Sequence, residues 1–206
     1  MPEPQRLEVS FLKSAPSLRQ CPPRQGGEVA FAGRSNSGKS SVLNRLTGSR
    51  QTAKVSKTPG RTRLLNFFAV RGGGCLVDLP GYGYAKAQRS AQSNWQHSVN
   101  EYLSFRDALV AVVLVMDIRH PLQPFDTQLL DWAAQSLIPV RVLLNKADKL
   151  KHGARQRTLL EVQGTLVAVP GVQVQCFSAR SGLGHSELLE ALQGWLASEP
   201  SQHPGE

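Results

Sequence analysis

Gly33-Arg34-Ser35-Asn36-Ser37-Gly38-Lys39-Ser40 is the stretch that decides how this chain is built. It fits the pattern GxxxxGK[ST]. It follows residues 28–32, which read as a strand, and it opens 39–46, which reads as a helix. Each residue type has a task in that setting. Gly33 and Gly38 let the backbone curl until its N–H groups converge. Those N–H groups and the positive end of the helix favour anionic oxygen. Lys39 adds a charge suited to the β- and γ-phosphates of a nucleotide. The Ser40 hydroxyl is a hard oxygen ligand of the kind Mg²⁺ takes. Arg34, Ser35, Asn36 and Ser37 supply the rest of the cradle. A bare glycine turn beside a surface lysine gives the same eight letters by chance, so the flanking pattern has to carry the reading.

Working outward, strand and helix patterns alternate. Residues 64–70 and 75–77 are apolar runs joined by Arg71-Gly72-Gly73-Gly74. That short glycine link predicts a hairpin and one antiparallel strand. Residues 90–105 carry Trp95, Val99, Tyr102 and Leu103 at helical spacing. The uninterrupted apolar run 109–116 predicts a strand buried on both faces. A helix over 125–134, a strand over 140–144, a helix over 156–167, a strand over 172–177 and a helix over 187–196 complete the series. Alternation of this kind predicts right-handed crossovers and a doubly wound, mostly parallel six-stranded α/β sheet with helices on both faces. Residues 1–27, with five prolines, read as an extended arm. Residues 28–197 read as a single domain and 198–206 as a disordered tail.

Four further motifs fall at predicted strand ends, in the order a guanine-nucleotide site needs. Asp78-Leu79-Pro80-Gly81 follows 75–77, where Asp78 is suited to hold a metal through water and the Gly81 N–H to meet a γ-phosphate. Thr62 precedes the strand at 64–70 and is the candidate second hydroxyl ligand to Mg²⁺, with Thr58 its rival. Asn145-Lys146-Ala147-Asp148 ends the strand at 140–144. The Asp148 carboxylate can accept from both N1–H and the N2 amino group of guanine, a donor pair adenine lacks. The Lys146 stem can cover one face of the base, and Asn145 can tie this loop to the phosphate loop. Ser178-Ala179-Arg180 ends the last strand, and the Ala179 N–H would meet guanine O6. Such sites lie outside the carboxyl ends of the strands.

The net charge is +9, and all of the excess lies in residues 1–63, which hold 12 Lys/Arg against 3 Asp/Glu. One nucleotide does not need that much, so a second polyanion is expected, with RNA the foremost candidate. Arg50, Lys54, Lys57, Arg61 and Arg63 form the densest part. No apolar run reaches the roughly 18–20 residues of a membrane span, and the first 20 residues lack the pattern of a secretory signal. Three scattered cysteines point to free thiols in a reducing cytoplasm rather than to a disulfide or zinc framework.

With these motifs in place the sequence resembles the bacterial EngB family, also called YihA or YsxC. The resemblance rests on residues 31–41 around the phosphate loop, Ser56-Lys57-Thr58-Pro59-Gly60-Arg61-Thr62, Asp78-Leu79-Pro80-Gly81-Tyr82-Gly83-Tyr84-Ala85 and Met116-Asp117-Ile118-Arg119-His120-Pro121. It implies a Ras-like P-loop GTPase domain that binds GTP or GDP with Mg²⁺. It adds Gly60, Arg61, Arg63 and Leu64 to the nucleotide-contacting set, and it gives Lys39, Thr62 and Gly81 the catalytic roles. It further implies a role in assembling the large ribosomal subunit or its precursor, with links to cell division and septation; a monomer in the cytoplasm that contacts rRNA through the basic residues 50–63 is expected beside it.

Ras-type enzymes carry a glutamine after DxxG to orient water; here Tyr82 stands there, which predicts slow intrinsic hydrolysis. In related GTPases an asparagine at the position of Asn36 helps bind K⁺, so a K⁺ ion beside the phosphates is expected as a partial substitute. The alternative for Asn36 is a loop cap. Asp117 and His120 read as fixing a turn, and Trp95, Trp132 and Trp195 as core. A second function reading is a GTP-binding scaffold for a division protein in which hydrolysis is incidental.

Overall fold

The computed structural model describes residues 5–48, 64–82 and 98–197. The elements are β1 (Val9–Ala15), β2 (Glu28–Gly33), α1 (Lys39–Thr47), β3 (Leu65–Val70), β4 (Cys75–Asp78), α2 (98–105), β5 (Leu109–Asp117), α3 (Pro124–Gln135), β6 (Val140–Asn145), α4 (His152–Leu166), β7 (Val172–Cys176) and α5 (His185–Ala197). Of the helix expected over 90–105, residues 98–105 are helical and the remainder lies outside the described residues.

The strands form one sheet in the order β1-β3-β4-β2-β5-β6-β7. β3 pairs antiparallel with both β1 and β4, while the β2–β4, β2–β5, β5–β6 and β6–β7 pairs are parallel. The doubly wound α/β arrangement with one reversed strand therefore holds. The sheet has seven strands rather than six, because part of the arm adds β1 at its edge. The five prolines that suggested a loose arm all flank this strand, and Val9–Ala15 contains none. Its residues are mostly exposed, so it lacks the apolar alternation that marks a half-buried strand. Ala15 is its buried residue, and the exposed Phe11 stands edge-on to Phe68 with ring centroids 5.8 Å apart.

The pleat sorts side chains to two cores. Val29 and Phe31 of β2, with Val113 and Val115 of β5, pack under α1 and α5 against Val42, Leu46, Leu188 and Leu192. Ala30 and Ala32, with Val112, Leu114 and Met116, face the other side, where Tyr102, Leu130 and Val162 come from α2, α3 and α4. Trp132 and Trp195 are half-buried against these cores, one on each side. Glu28 is a buried charge at the start of β2 and is fully engaged. Its Oε1 accepts from Arg106 Nη2 at 2.5 Å and its Oε2 from the Tyr102 hydroxyl at 2.9 Å. This pairing is what makes the carboxylate tolerable there, and it fastens the end of α2 to the sheet. Cys21, Cys75 and Cys176 are unbridged, and burial pushes the thiols of Cys21 and Cys75 up to about 11. Both are therefore protonated at neutral pH, with little thiolate to ligate or attack.

Candidate nucleotide-binding site

The phosphate loop leaves β2 at Gly33 and enters α1 at Lys39. Two of its glycines are dictated by close approach. A Cβ on Gly33 would lie 2.6 Å from the Val115 carbonyl oxygen and 2.8 Å from Ser37 Oγ. Gly38 has φ +97°, and a Cβ there would collide with Asn145 Nδ2. The Lys39 ammonium pairs with the Asp78 carboxylate. Both side chains are buried, so the lysine of the loop and the acid that ends β4 occupy one spot. Parallel pairing of β2 with β4, with Phe31 opposite Asp78, puts them there. Ser40, Asp78 and Gly81 line the same cleft, of about 450 Å³.

Asn145 and Lys146 join this loop to the next. Asn145 Nδ2 donates to the Ser37 carbonyl at 2.9 Å. Lys146 has φ +62°, and its Nζ donates to the Asn36 carbonyl at 2.6 Å and to Asp117 Oδ2 at 2.9 Å. Asp117 also takes a forked pair of bonds from Arg119, at 2.9 and 2.7 Å. The Arg119 bonds first, and then Lys146, hold the Asp117 carboxyl well below the usual carboxylate range. Asp117 thus fixes its turn and also braces Lys146. That second role has no local signature in the sequence, since 29 residues separate the partners.

Asp148 sits in a 3₁₀ turn, Ala147–Lys149. Its Oδ1 accepts from the Ser178 hydroxyl at 2.6 Å, and that bond holds its pKa below the ordinary value. Ser178 Oγ in turn accepts the Ser181 N–H at 3.1 Å. The serine that opens Ser178-Ala179-Arg180 is therefore the side chain that aims Asp148, a role the sequence reading did not give it. Ala179, Arg180, Asp148 and Lys146 line a second cleft of about 720 Å³. It meets the first across Gly38, Ser41 and Lys146, which line both. One trench results, with Lys39, Ser40 and Asp78 at one end and Asp148 at the other. Arg6 and Arg45, which no motif pointed to, also line the Asp148 end.

Tyr82 points away from the trench. Its ring is buried against Phe125, with centroids 5.7 Å apart, and its hydroxyl donates to Asp126 Oδ1. Its carbonyl accepts the Ser35 N–H at 2.7 Å. The residue that stands where a water-orienting side chain is found in Ras-type enzymes is thus part of the core. Leu64 is half-buried and is not among the residues lining either cleft. Thr58, Gly60, Arg61, Thr62 and Arg63 lie outside the described residues, as does the rest of the basic run 50–63.

Residues 28–146 match the family described as 50S ribosome-binding GTPase. The probable GTP-binding protein EngB of Vibrio parahaemolyticus is 51% identical over 188 residues, which cover 91% of this chain and 86% of that one. The chain belongs to the EngB family of GTP-binding proteins. That family membership makes the chain a GTP-binding protein of the GTPase class. Among solved structures, a probable GTP-binding protein engB superposes with a TM-score of 0.68 at 24% identity, covering 82% of this chain and 98% of that one. A structure of Era in complex with MgGDPNP and nucleotides 1506-1542 of 16S ribosomal RNA gives 0.61 at 22% identity, covering 88% and 60%. At these identities the likeness concerns the fold, and the fold is that of a Ras-like P-loop GTPase. No helix among the described residues is long and apolar enough to cross a membrane.

Proposed function

We propose that this EngB-family chain is a Mg²⁺-dependent GTP switch with slow intrinsic turnover that acts in assembly of the large ribosomal subunit, with normal division and septation depending on it. The observation that carries the nucleotide part is the joint between the two clefts. The Asn145–Ser37 hydrogen bond ties the loop that leads to Asp148 to the phosphate loop, so that a phosphate end and a carboxylate end belong to one site. Asp148, held by Ser178, leaves its remaining acceptor capacity for the N1–H and N2 amino group of guanine. The N–H groups that open α1, at Gly38, Lys39 and Ser40, and the Lys39 ammonium receive the phosphates, while the Ser35 and Ser37 N–H groups are held by the Tyr82 and Arg34 carbonyls. In this reading Lys39 exchanges its Asp78 partner for the β- and γ-oxygens, which frees Asp78.

The donors at that end suit Mg²⁺: a serine hydroxyl and a buried carboxylate, both hard oxygen ligands. Ser40 and Asp78, the latter through water, would hold the ion, and Thr62 would join them. When bound there, Mg²⁺ would supply charge neutralisation at the phosphate oxygens. Lys39 and the Gly81 N–H stabilise charge developing at the γ-phosphate. No side chain at position 82 reaches the attacking water, because Tyr82 is turned into the core. That supports slow hydrolysis and the need for an activator. We assign activation to the ribosomal particle and, through Asn36, to K⁺. Asn36 is exposed at the trench with its carbonyl already taken by Lys146, so its side-chain oxygen is the atom left for the cation.

The family described as 50S ribosome-binding GTPase and the basic excess of residues 1–63 support the ribosomal partner. The test is GTP hydrolysis with and without large-subunit precursors, in KCl and in NaCl. Turnover should rise with the precursor and be higher in K⁺. Equal rates under all four conditions would refute both activators and favour the scaffold reading, in which hydrolysis is incidental.

A further inference from the structure

The Asp148 end of the trench carries more positive charge than a guanine nucleotide can use. Guanine and ribose are neutral, and the nucleotide's phosphates belong at the Lys39 end. Yet the cleft around Asp148 is lined by Arg6, Arg45, Lys149 and Arg180, with Asp148 the one acid among the lining residues. None of the four takes part in an ion pair among the described residues. Arg6, Lys149 and Arg180 are exposed, while Arg45 is half-buried with its Nε lacking a partner. Four like charges gathered around a single acid, Asp148, leave an excess that costs free energy unless something anionic binds it.

The fold gathers them from four separate elements. Arg6 comes from the segment ahead of β1, where the Leu7 N–H donates to the Leu46 carbonyl at 2.9 Å and buried Leu7 joins the core under α1. The aliphatic stem of Arg6 lies against Gly48 so closely that a Cβ there would be 2.6 Å from its Cδ. Arg45 comes from the last turn of α1, Lys149 from the 3₁₀ turn that holds Asp148, and Arg180 from the loop after β7.

Resting on the ribosomal reading above, we infer that this rim is an RNA-binding surface that takes the phosphodiester backbone of rRNA at the mouth of the guanine pocket. Three of the four cations are arginines, whose planar fork matches phosphate oxygens. They lie on an open surface, as a continuous strand requires and a buried small anion does not. The sequence that follows Gly48, residues 49–63, adds five Lys/Arg and no Asp/Glu, so the positive charge continues along the chain from the rim rather than ending there. A partner protein with an acidic face is the rival, and the test separates the two.

Full-length wild-type protein and the double variant Arg6→Ala/Lys149→Ala are titrated with purified large ribosomal subunits and with protein-free large-subunit rRNA over a series of KCl concentrations, with a non-hydrolysable GTP analogue present and, in parallel, with GDP. Both substituted side chains are exposed, and thermal melting checks the fold. The variant should bind rRNA and subunits at least about tenfold more weakly at low salt. The slope of log affinity against log salt should fall by about two, one for each phosphate contact removed. Affinity for fluorescent GDP should stay within about twofold. An unchanged rRNA affinity and salt slope would overturn the inference. So would a loss seen on subunits but absent on rRNA, which would assign the rim to a ribosomal protein. A variant that binds rRNA normally but loses GDP would assign it to the nucleotide and overturn it as well. If the wild type binds neither subunits nor rRNA, the ribosomal reading itself fails with it. If the wild type binds and the variant is indistinguishable, only the rim is refuted.

Discussion

Tyr82→Phe removes one oxygen from the core and leaves everything else in place. The ring stays against Phe125, so no cavity opens. The loss is the hydroxyl's bond to Asp126 Oδ1. Asp126 keeps its second oxygen on the Gln123 N–H at 2.9 Å, the bond that closes the capping box of α3. A hydrogen bond to a charged acceptor contributes about 1.5–3 kcal/mol, and the orphaned oxygen adds a desolvation penalty. We therefore expect a loss of about 2–3 kcal/mol at neutral pH, read by urea unfolding with circular dichroism. The pH dependence sharpens the test. Burial raises the Asp126 pKa, and the Tyr82 bond partly offsets that rise. The folded form therefore holds its proton more tightly than the unfolded chain does. An acid of this kind favours the fold most below its unfolded pKa, and that contribution is lost as pH rises through the folded pKa. Removing the hydroxyl moves the folded pKa higher still. The gap between wild type and variant is thus full above both folded values and narrows as the medium is acidified. A gap under about 0.5 kcal/mol at neutral pH, the range of an ordinary surface change, would refute the contact. A gap that widens in acid would refute the assignment to Asp126.

Asp148→Asn puts an amide against guanine's two donors, and fluorescent-nucleotide titration should show GDP affinity falling by about a hundredfold or more; unchanged affinity would mean the base lies elsewhere. Gly38→Ala forces a side chain into φ +97° and against Asn145 Nδ2, at about 1–2 kcal/mol for the backbone alone, so nucleotide affinity should drop at least about tenfold in the same titration. Glu28→Ala strands the Arg106 guanidinium and the Tyr102 hydroxyl, and unfolding measurements should show a loss of about 3–5 kcal/mol, the scale for breaking a buried pair. Asp117→Asn should destabilise the protein at neutral pH. Because the native pairing lowers the Asp117 pKa, that contribution is present above the ordinary carboxylate pKa and disappears as pH falls toward the folded one, so melting curves of wild type and variant should converge in acid.

The alternating core of the sheet could be read in the sequence because burial on both faces leaves uninterrupted apolar runs such as residues 109–116, and glycine links leave short ones. The positions of Lys39, Asp78, Asn145 and Asp148 could be read because Lys39 opens α1 in the loop after β2 and the others lie at or just past the ends of β4 and β6, where the motifs are local. What could not be read depends on partners far apart in the chain. Among the described residues, the partners that hold Tyr82 inward come from α2 and α3, and its hydroxyl is bound by Asp126, 44 residues away. Ser178 aims Asp148 across 30 residues, and Asp117 braces Lys146 across 29. β1 stayed hidden for a different reason: an edge strand buries too little to acquire a pattern.

The bond from His185 Nε2 to the Gln5 carbonyl, 2.7 Å long, and the seat of Leu7 under α1 have a practical corollary. A fluorescent reporter or purification handle spliced immediately before Gln5 would hang beside the cleft that Arg6 and Asp148 line, where the proposed function puts the base. Its own charges would then colour every affinity measured there, so fusions intended for nucleotide assays belong at the opposite end of the sheet, on the glycine hairpin between β3 and β4, where a Cβ at Gly72 or Gly73 meets no atom within 4 Å.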